Sequence, residues 1–453
     1  MYELEINEDN IKETIKNDVL ERNNSIYNFL NLVYSIDTKC TISIDGEWGT
    51  GKTFFVKQVE YIINLLNDEN FEETDVEIVK MLDKIKKKLS EKDIDSTKNT
   101  RAIYYNACEY DYFDDPIITI IADIIKNNSN ININNPDKKS SLAEKIDNWI
   151  SSFKLGFSYQ TKSGDAIGIE LQKQKSEPSN SILDNILNSK TIEENFKQLL
   201  EELLVESSNR LIIFIDELDR CNPGFAVKLL EKIKYFFSDK RFIFVFSTNL
   251  NQLQHTIEKC YGNNFNGAYY LQKFFDYQLE LPKIDVNKYI NYRIMLIPKN
   301  SSAYVDEIIR EVLKYENYNL RDCNKFFELL KLKYVETKNN DIIPSYHFFT
   351  NIMFIVLLAV KVKNINDYYR IINGNGIDKF SDIIKKCEQI SSYLEETMNI
   401  YEVSDEDIDV LYNYMFIKKD DDGITLRGYL NLRRSYINKL FDKLSFLGEK
   451  ITL

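Results

Sequence analysis

An eight-residue run, Gly46-Glu47-Trp48-Gly49-Thr50-Gly51-Lys52-Thr53, constrains this chain more than any other feature. It follows a short alternating segment, Thr41-Ile42-Ser43-Ile44. It precedes apolar residues at helical spacing: Phe55, Val59, Ile62, Ile63 and Leu66. A strand that breaks into glycines and resumes at once as a helix satisfies G-x-x-x-x-G-K-[ST] in the setting that pattern requires. The glycines let successive backbone N–H groups turn inward without side-chain obstruction. The helix N-terminus adds a dipole favourable to an anion. The segment Gly46 to Thr53, with Phe54 behind it, is therefore a candidate phosphate cradle. Lys52 is expected to bridge the two outer phosphates of a triphosphate, and the Thr53 hydroxyl to ligate Mg²⁺.

Such a loop needs a carboxylate at the end of a neighbouring strand. Leu211-Ile212-Ile213-Phe214-Ile215-Asp216-Glu217 supplies one, as an unbroken apolar run followed by two acids. Asp216 is the expected metal partner. Glu217, one residue further on, is positioned to polarise a water. The next apolar run, Phe242 to Phe246, ends in Ser247-Thr248-Asn249. There a polar residue can sense the terminal phosphate or cap the following helix, two roles that Thr248 and Asn249 can share.

Strands at 41–44, 102–105, 211–215 and 242–246 alternate with helical patterns at 54–66, 116–125, 192–206 and 226–237. From about 283 onward the pattern is almost entirely helical. This alternation predicts an α/β, doubly wound, mostly parallel sheet followed by an α-helical C-terminal region. Residues 9–36 read as one helix. The expected divisions are an N-terminal helical segment at 1–39, a core at 40–282, a helical lid at 283–335 and a C-terminal helical domain at 336–453. Two polar insertions interrupt the core. The one at 67–100 reads as an exposed lysine-rich helix and linker. The one at 127–180 holds a hairpin pattern around Ser163-Gly164-Asp165.

Composition excludes several classes. A formal charge of -13 argues against a surface that coats nucleic acid. Six cysteines without a CxxC pair fit reduced cytoplasmic thiols, not a disulfide framework or zinc ribbon. Two histidines make a histidine-rich metal site or a Ser-His-Asp triad hard to build. The acidic N-terminus lacks the apolar stretch of a signal peptide. The longest apolar run, Ile352 to Val360, is too short to span a bilayer and reads as a buried helix. Near the C-terminus, the basic stretch Leu426 to Arg434 follows an acidic one, Asp405 to Asp422, which favours an internal or subunit charge match over a nucleic-acid contact.

Together, GEWGTGKTFF from Gly46, YYNACEYDYFDDPI from Tyr104, IIFIDELDRCNP from Ile212, FVFSTNLNQLQHTI from Phe244 and YYLQKFFDYQLELP from Tyr269 resemble the KAP family of P-loop ATPases, a branch of the additional-strand class. The resemblance covers roughly residues 20–335. It implies nucleotide contacts from Gly46, Gly49, Gly51, Lys52 and Thr53, and metal and water roles for Asp216 and Glu217. Asp219 and Arg220 match positions characteristic of the family, or form an ion pair that fixes the loop. Asn319-Leu320-Arg321-Asp322 resembles the second-sensor motif of related ATPases, so Arg321 either reaches the terminal phosphate or is a surface arginine. Lys273 and Arg220 are weaker candidates for a charge-neutralising finger. Cys108 stands where relatives usually carry tryptophan, and Asn249 where they carry aspartate. The polar insertion implies a branch without membrane helices.

The expected function is a magnesium-dependent ATPase whose hydrolysis switches the chain's action on an effector or regulatory partner, or its self-assembly into a homo-oligomer. Family relatives in antiphage systems suggest a defence role, and the Asn/Lys/Ile bias suggests a low-GC bacterial genome. The alternatives are a nucleotide-holding scaffold with little turnover and, less favoured, a DNA-dependent ATPase.

Overall fold

The computed structural model describes residues 6–67, 75–90, 100–113, 115–117, 119–120, 123, 210–236, 239–262, 264–297, 303–334, 345–417, 424–426, 430–432 and 434–445. The expected hairpin within 127–180 and the helix at 192–206 lie outside these residues. Tertiary contacts divide the chain into two compact units. One comprises Asn24–Gly46 and Lys52–Leu281. The other comprises Met1–Asn23, Glu47–Gly51 and Pro282–Leu453.

The first unit is built on a five-stranded, all-parallel sheet. Its strands are β1 (Cys40–Asp45), β2 (Thr100–Asn106), β3 (Arg210–Asp216), β4 (Phe242–Thr248) and β5 (Tyr277–Glu280), in the order β2-β3-β4-β1-β5. Strand β4 thus lies between the loop-bearing β1 and the acidic β3, which is the additional-strand arrangement. Among the described residues, helices α2 (Asn23–Tyr34), α3 (Lys52–Asn67), α4 (Val76–Ser90), α5 (Pro223–Phe236), α6 (Leu250–Tyr261) and α7 (Gly267–Leu271) belong to it.

Side chains alternate across a strand, and both faces of this sheet are buried. On one face Leu211, Ile213, Ile215, Phe244 and Phe246 join Leu229, Leu230, Ile233, Leu253 and Ile257 of α5 and α6 in a single apolar cluster. On the other, the Phe214 ring meets Phe29 of α2 at 6.2 Å, and Phe29 meets Phe55 of α3 edge-on at 6.1 Å. Burial on both faces is why β3 reads as a continuous apolar run. Strand β5 was not anticipated from the sequence. It is four residues long and three of them are exposed, so its pairing with β1 defines it, not burial.

Two further readings change. Residues 9–36 form two helices, α1 (Glu8–Asn17) and α2, because Asp18 (φ 45°) and Glu21 (φ 51°) adopt left-handed backbone between them. Aspartate tolerates that conformation better than most residues, and no glycine or proline signals the break. Helix α4 is not simply exposed, since Ile78, Leu82, Ile85 and Leu89 bury one stripe of it.

The second unit is helical. It contains α1, then α8 (Val286–Met295), α9 (Ala303–Tyr315), α10 (Leu320–Tyr334), α11 (Ser345–Lys363), α12 (Ile365–Ile372), α13 (Ile377–Lys386), α14 (Glu388–Met398), α15 (Asp405–Tyr412) and α16 (Arg434–Ser445). A small antiparallel pair, β6 (Ile424–Leu426) with β7 (Leu430–Leu432), interrupts it. The run Ile352–Val360 lies in α11 and is buried throughout. Among the described residues no helix is long and apolar enough to cross a membrane.

Candidate functional site

Parallel pairing brings the strand ends into one row. Asp45 of β1 is opposite Thr248 of β4, and Asp216 of β3 is opposite Ser247 of β4 and Asn106 of β2. The Gly46 N–H donates to the Thr248 carbonyl at 3.3 Å, carrying the β1–β4 pairing into the loop. Asp45, which the sequence reading passed over, fixes the end of β1. Its Oδ1 accepts from the Leu250 N–H at 2.8 Å, and its carbonyl from the Leu281 N–H at 2.8 Å.

Lys52 begins α3 and is 8% exposed. Its Nζ donates to the Gly46 carbonyl at 2.5 Å, so the side chain curls back over the loop. Burial lowers its pKa, while the fields of Asp219, Asp216 and Asp45, in that order, oppose the shift. Lys52 and Asp216, far apart in sequence, therefore share one electrostatic neighbourhood in the same unit. Thr53 is half-buried beside it. The Phe54 side chain is buried.

Asp216 is 1% exposed. Its Oδ2 accepts from the Tyr104 hydroxyl at 3.0 Å and its Oδ1 from the Glu217 N–H at 3.0 Å. Tyr104 is a site residue that sequence reasoning missed, although it opens one of the family-like segments. It points to Asp216 because β2 and β3 run in register, with Asn106 opposite Asp216. Burial, then the neighbouring Asp216, raises the Tyr104 pKa and keeps the phenol a donor. Lys57 Nζ sits 3.7 Å from the centroid of the Tyr104 ring and pairs with Glu60 at 2.9 Å, supporting the tyrosine from behind.

Glu217 takes left-handed backbone (φ 60°, ψ 24°) and opens a 3-10 turn, Leu218–Arg220. Its Oε1 pairs with Arg220 Nη1 at 2.7 Å. Arg220 bonds Glu217, and Asp219, 7% exposed, accepts from the Thr248 hydroxyl at 3.0 Å. One turn thus joins the end of β3 to the end of β4. Asn249 Oδ1 accepts from the Gln252 N–H at 3.2 Å and so caps α6, the second of the two roles its position allowed.

In the helical unit, Glu47 and Trp48 are exposed. The Thr50 hydroxyl donates to the Glu47 carbonyl at 2.8 Å. Gly49 (φ 82°) and Gly51 (φ 83°) adopt left-handed backbone, where any side chain is strained. A Cβ on Gly49 would lie 2.9 Å from Asn319 Oδ1, and one on Gly51 3.1 Å from Leu320 Cδ1. The Asn319-Leu320 end of α10 therefore abuts both glycines. Asn319 and Asp322 cap that helix reciprocally, the Asp322 N–H donating to Asn319 Oδ1 at 2.9 Å and the Asn319 N–H to Asp322 Oδ2 at 3.2 Å. Arg321, in the first turn of α10, is exposed. Lys273 Nζ lies 5.6 Å from the Tyr269 ring centroid.

A sequence model described as the KAP family P-loop domain matches residues 22–337. The chain belongs to the KAP family. This places it among the P-loop NTPases, proteins that bind and hydrolyse nucleotides. None of the curated proteins compared matches this KAP chain. Among solved structures it is similar to the ORC2 protein of Aeropyrum pernix, solved as ADPNP–ADP complexes. That likeness has a TM-score of 0.36 and 11% identity, over 98% of this chain and 95% of the other. It is also similar to PCH-2 of C. elegans, with a TM-score of 0.30 and 9% identity, over 80% of this chain and 70% of the other.

Proposed function

We propose that this KAP chain binds ATP with Mg²⁺ at the Gly46–Thr53 loop and hydrolyses it. The carrying observation is the buried Lys52 ammonium in the joint field of Asp219, Asp216 and Asp45, at the carboxyl edge of a parallel sheet. Mg²⁺ is commonly held by one or two protein oxygens together with substrate phosphates, a donor set that the Asp216 carboxylate and the Thr53 hydroxyl fit. When bound, the ion would neutralise charge on the phosphates, and Thr53 and Asp216 are the residues that would hold it.

Each remaining role belongs to a named side chain. Lys52 exchanges the Gly46 carbonyl for phosphate oxygens. Loop amides beyond Gly46, through Phe54, bind the phosphates. Glu217 takes a proton from the attacking water once released from Arg220. Asn249 orients the end of β4 through its cap, and Arg321 approaches the terminal phosphate. The contacts of Gly49 and Gly51 with α10 support a switch, in which the loop's nucleotide state is passed to the helical unit. The output is action on a protein partner or self-assembly, in a reducing cytoplasm consistent with six free thiols. The family resemblance extends the proposal to antiphage defence.

Glu217→Gln tests this reading. ATP binding should persist while phosphate release falls about 100-fold or more, the scale of a lost general base. Unchanged release would overturn the role of Glu217. A second reading, a nucleotide-holding scaffold, is favoured by the Glu217–Arg220 ion pair, which engages the expected base. The same assay separates the two, because a scaffold releases no phosphate above background in the unmodified protein.

A further inference from the structure

We infer that Arg22 is a positioning residue for the phosphate loop, its buried guanidinium holding two loop carbonyls so that the Gly51 and Lys52 amides are aimed and polarised toward a phosphate. This rests on the nucleotide reading above and adds a residue to it. Arg22 is 2% exposed. Its Nη1 donates to the Gly51 carbonyl at 2.9 Å. Its Nη2 donates to the Thr50 carbonyl at 2.8 Å and to the Pro282 carbonyl at 3.3 Å.

The consequence follows from peptide geometry. In a planar trans peptide the C=O and the following N–H point in opposite directions. Fixing the Thr50 carbonyl therefore sets the direction of the Gly51 N–H, and fixing the Gly51 carbonyl sets that of the Lys52 N–H. Hydrogen bonds from a cation are shorter and roughly twice as strong as neutral ones. They also polarise the peptide, which strengthens the N–H on its far side as a donor. Arginine suits the task, because its planar fork reaches two adjacent carbonyls at once.

The chain builds this contact deliberately. Left-handed Asp18 and Glu21 break α1 from α2. The Asn23 N–H donates to Asp18 Oδ1 at 3.1 Å, and Asn23 Nδ2 to the Ile15 carbonyl at 2.8 Å. These bonds stiffen the break and set Arg22 behind Gly51, where Nη1 would lie 3.2 Å from an added Cβ. Burial brings the Arg22 pKa down to about 10, so the group stays cationic at neutral pH.

The test uses the full chain as unmodified protein, Arg22→Lys and Arg22→Gln. Three quantities are measured: ATP·Mg affinity, melting temperature without nucleotide, and the amide resonance of Gly51. Thr50-Gly51 is the only Thr-Gly pair in the sequence, so carbonyl-13C threonine with 15N glycine isolates that one signal. Arg22→Lys should melt close to the unmodified protein, bind ATP roughly tenfold more weakly, and shift the Gly51 amide proton upfield. Arg22→Gln should bind more weakly still. A purely structural role would lower melting without moving affinity in the lysine variant. Folded Arg22→Lys with unchanged affinity, or an unmoved Gly51 resonance, would overturn the proposal. If Arg22→Gln does not fold, the lysine variant decides. Failure of the unmodified protein to bind ATP would count against the nucleotide reading, while the Gly51 shift would still decide the role of Arg22.

Discussion

Lys52 is a cation made both costly and useful by its surroundings. Burial destabilises its charge, and Asp219, Asp216 and Asp45 restore part of what burial removes. The sign gives a prediction. Lowering favours the neutral amine, so phosphate affinity should decline on the alkaline side at a lower pH than for a free lysine. Asp219→Asn removes the largest restoring field and leaves an amide oxygen to accept from Thr248. It should move that alkaline decline to lower pH still. Titrating ATP affinity against pH in both proteins checks this, and coincident profiles would refute it. Glu217 and Arg220 illustrate what the linear chain conceals at this scale. Four acidic and basic side chains within a few residues admit several pairings. The left-handed backbone at Glu217 opens the turn in which Glu217 pairs with Arg220 and Asp219 accepts from Thr248.

At the level of elements, the end of β4 and the start of α6 form a joint whose key residue is Asn249. Its side-chain oxygen satisfies the Gln252 N–H, one of the otherwise unpartnered first-turn donors of a helix. Asn249→Ala should therefore cost about 1 kcal/mol in stability, whereas Asn249→Asp or Asn249→Ser should retain most of it. Chemical denaturation measures the difference. Phosphate release in the serine variant then tells capping apart from sensing, since only capping survives that change. Strands β1 to β4 were legible because apolar runs bounded by polar ends need no tertiary information. Strand β5 and the break between α1 and α2 were not. The first takes its conformation from hydrogen bonds to β1, and the second from left-handed residues with no glycine to announce them.

For the whole molecule, the phosphate loop is the segment through which nucleotide state should spread, because Gly49 and Gly51 touch Asn319 and Leu320 at the start of α10. Hydrogen exchange tests the switch. In Glu217→Gln protein, the amides of Leu320–Tyr334 should exchange more slowly with ATP·Mg than with ADP·Mg. Equal exchange in the two states would remove the helical unit from the switch. The acidic balance of the chain adds a companion expectation: DNA at low salt should leave phosphate release unchanged.

The sequence by itself determined the parallel α/β core, the loop from Gly46 to Thr53 and the acidic strand end at Asp216, since each depends on local spacing: alternation, helical period and glycine placement. Only the tertiary structure decided which side chains surround those residues. Tyr104 on Asp216, Asp219 on Thr248, and Arg22 on the Thr50 and Gly51 carbonyls all join segments distant in the chain or turned by unusual backbone. Such contacts follow from strand register and left-handed turns, which the order of residues along the chain does not display.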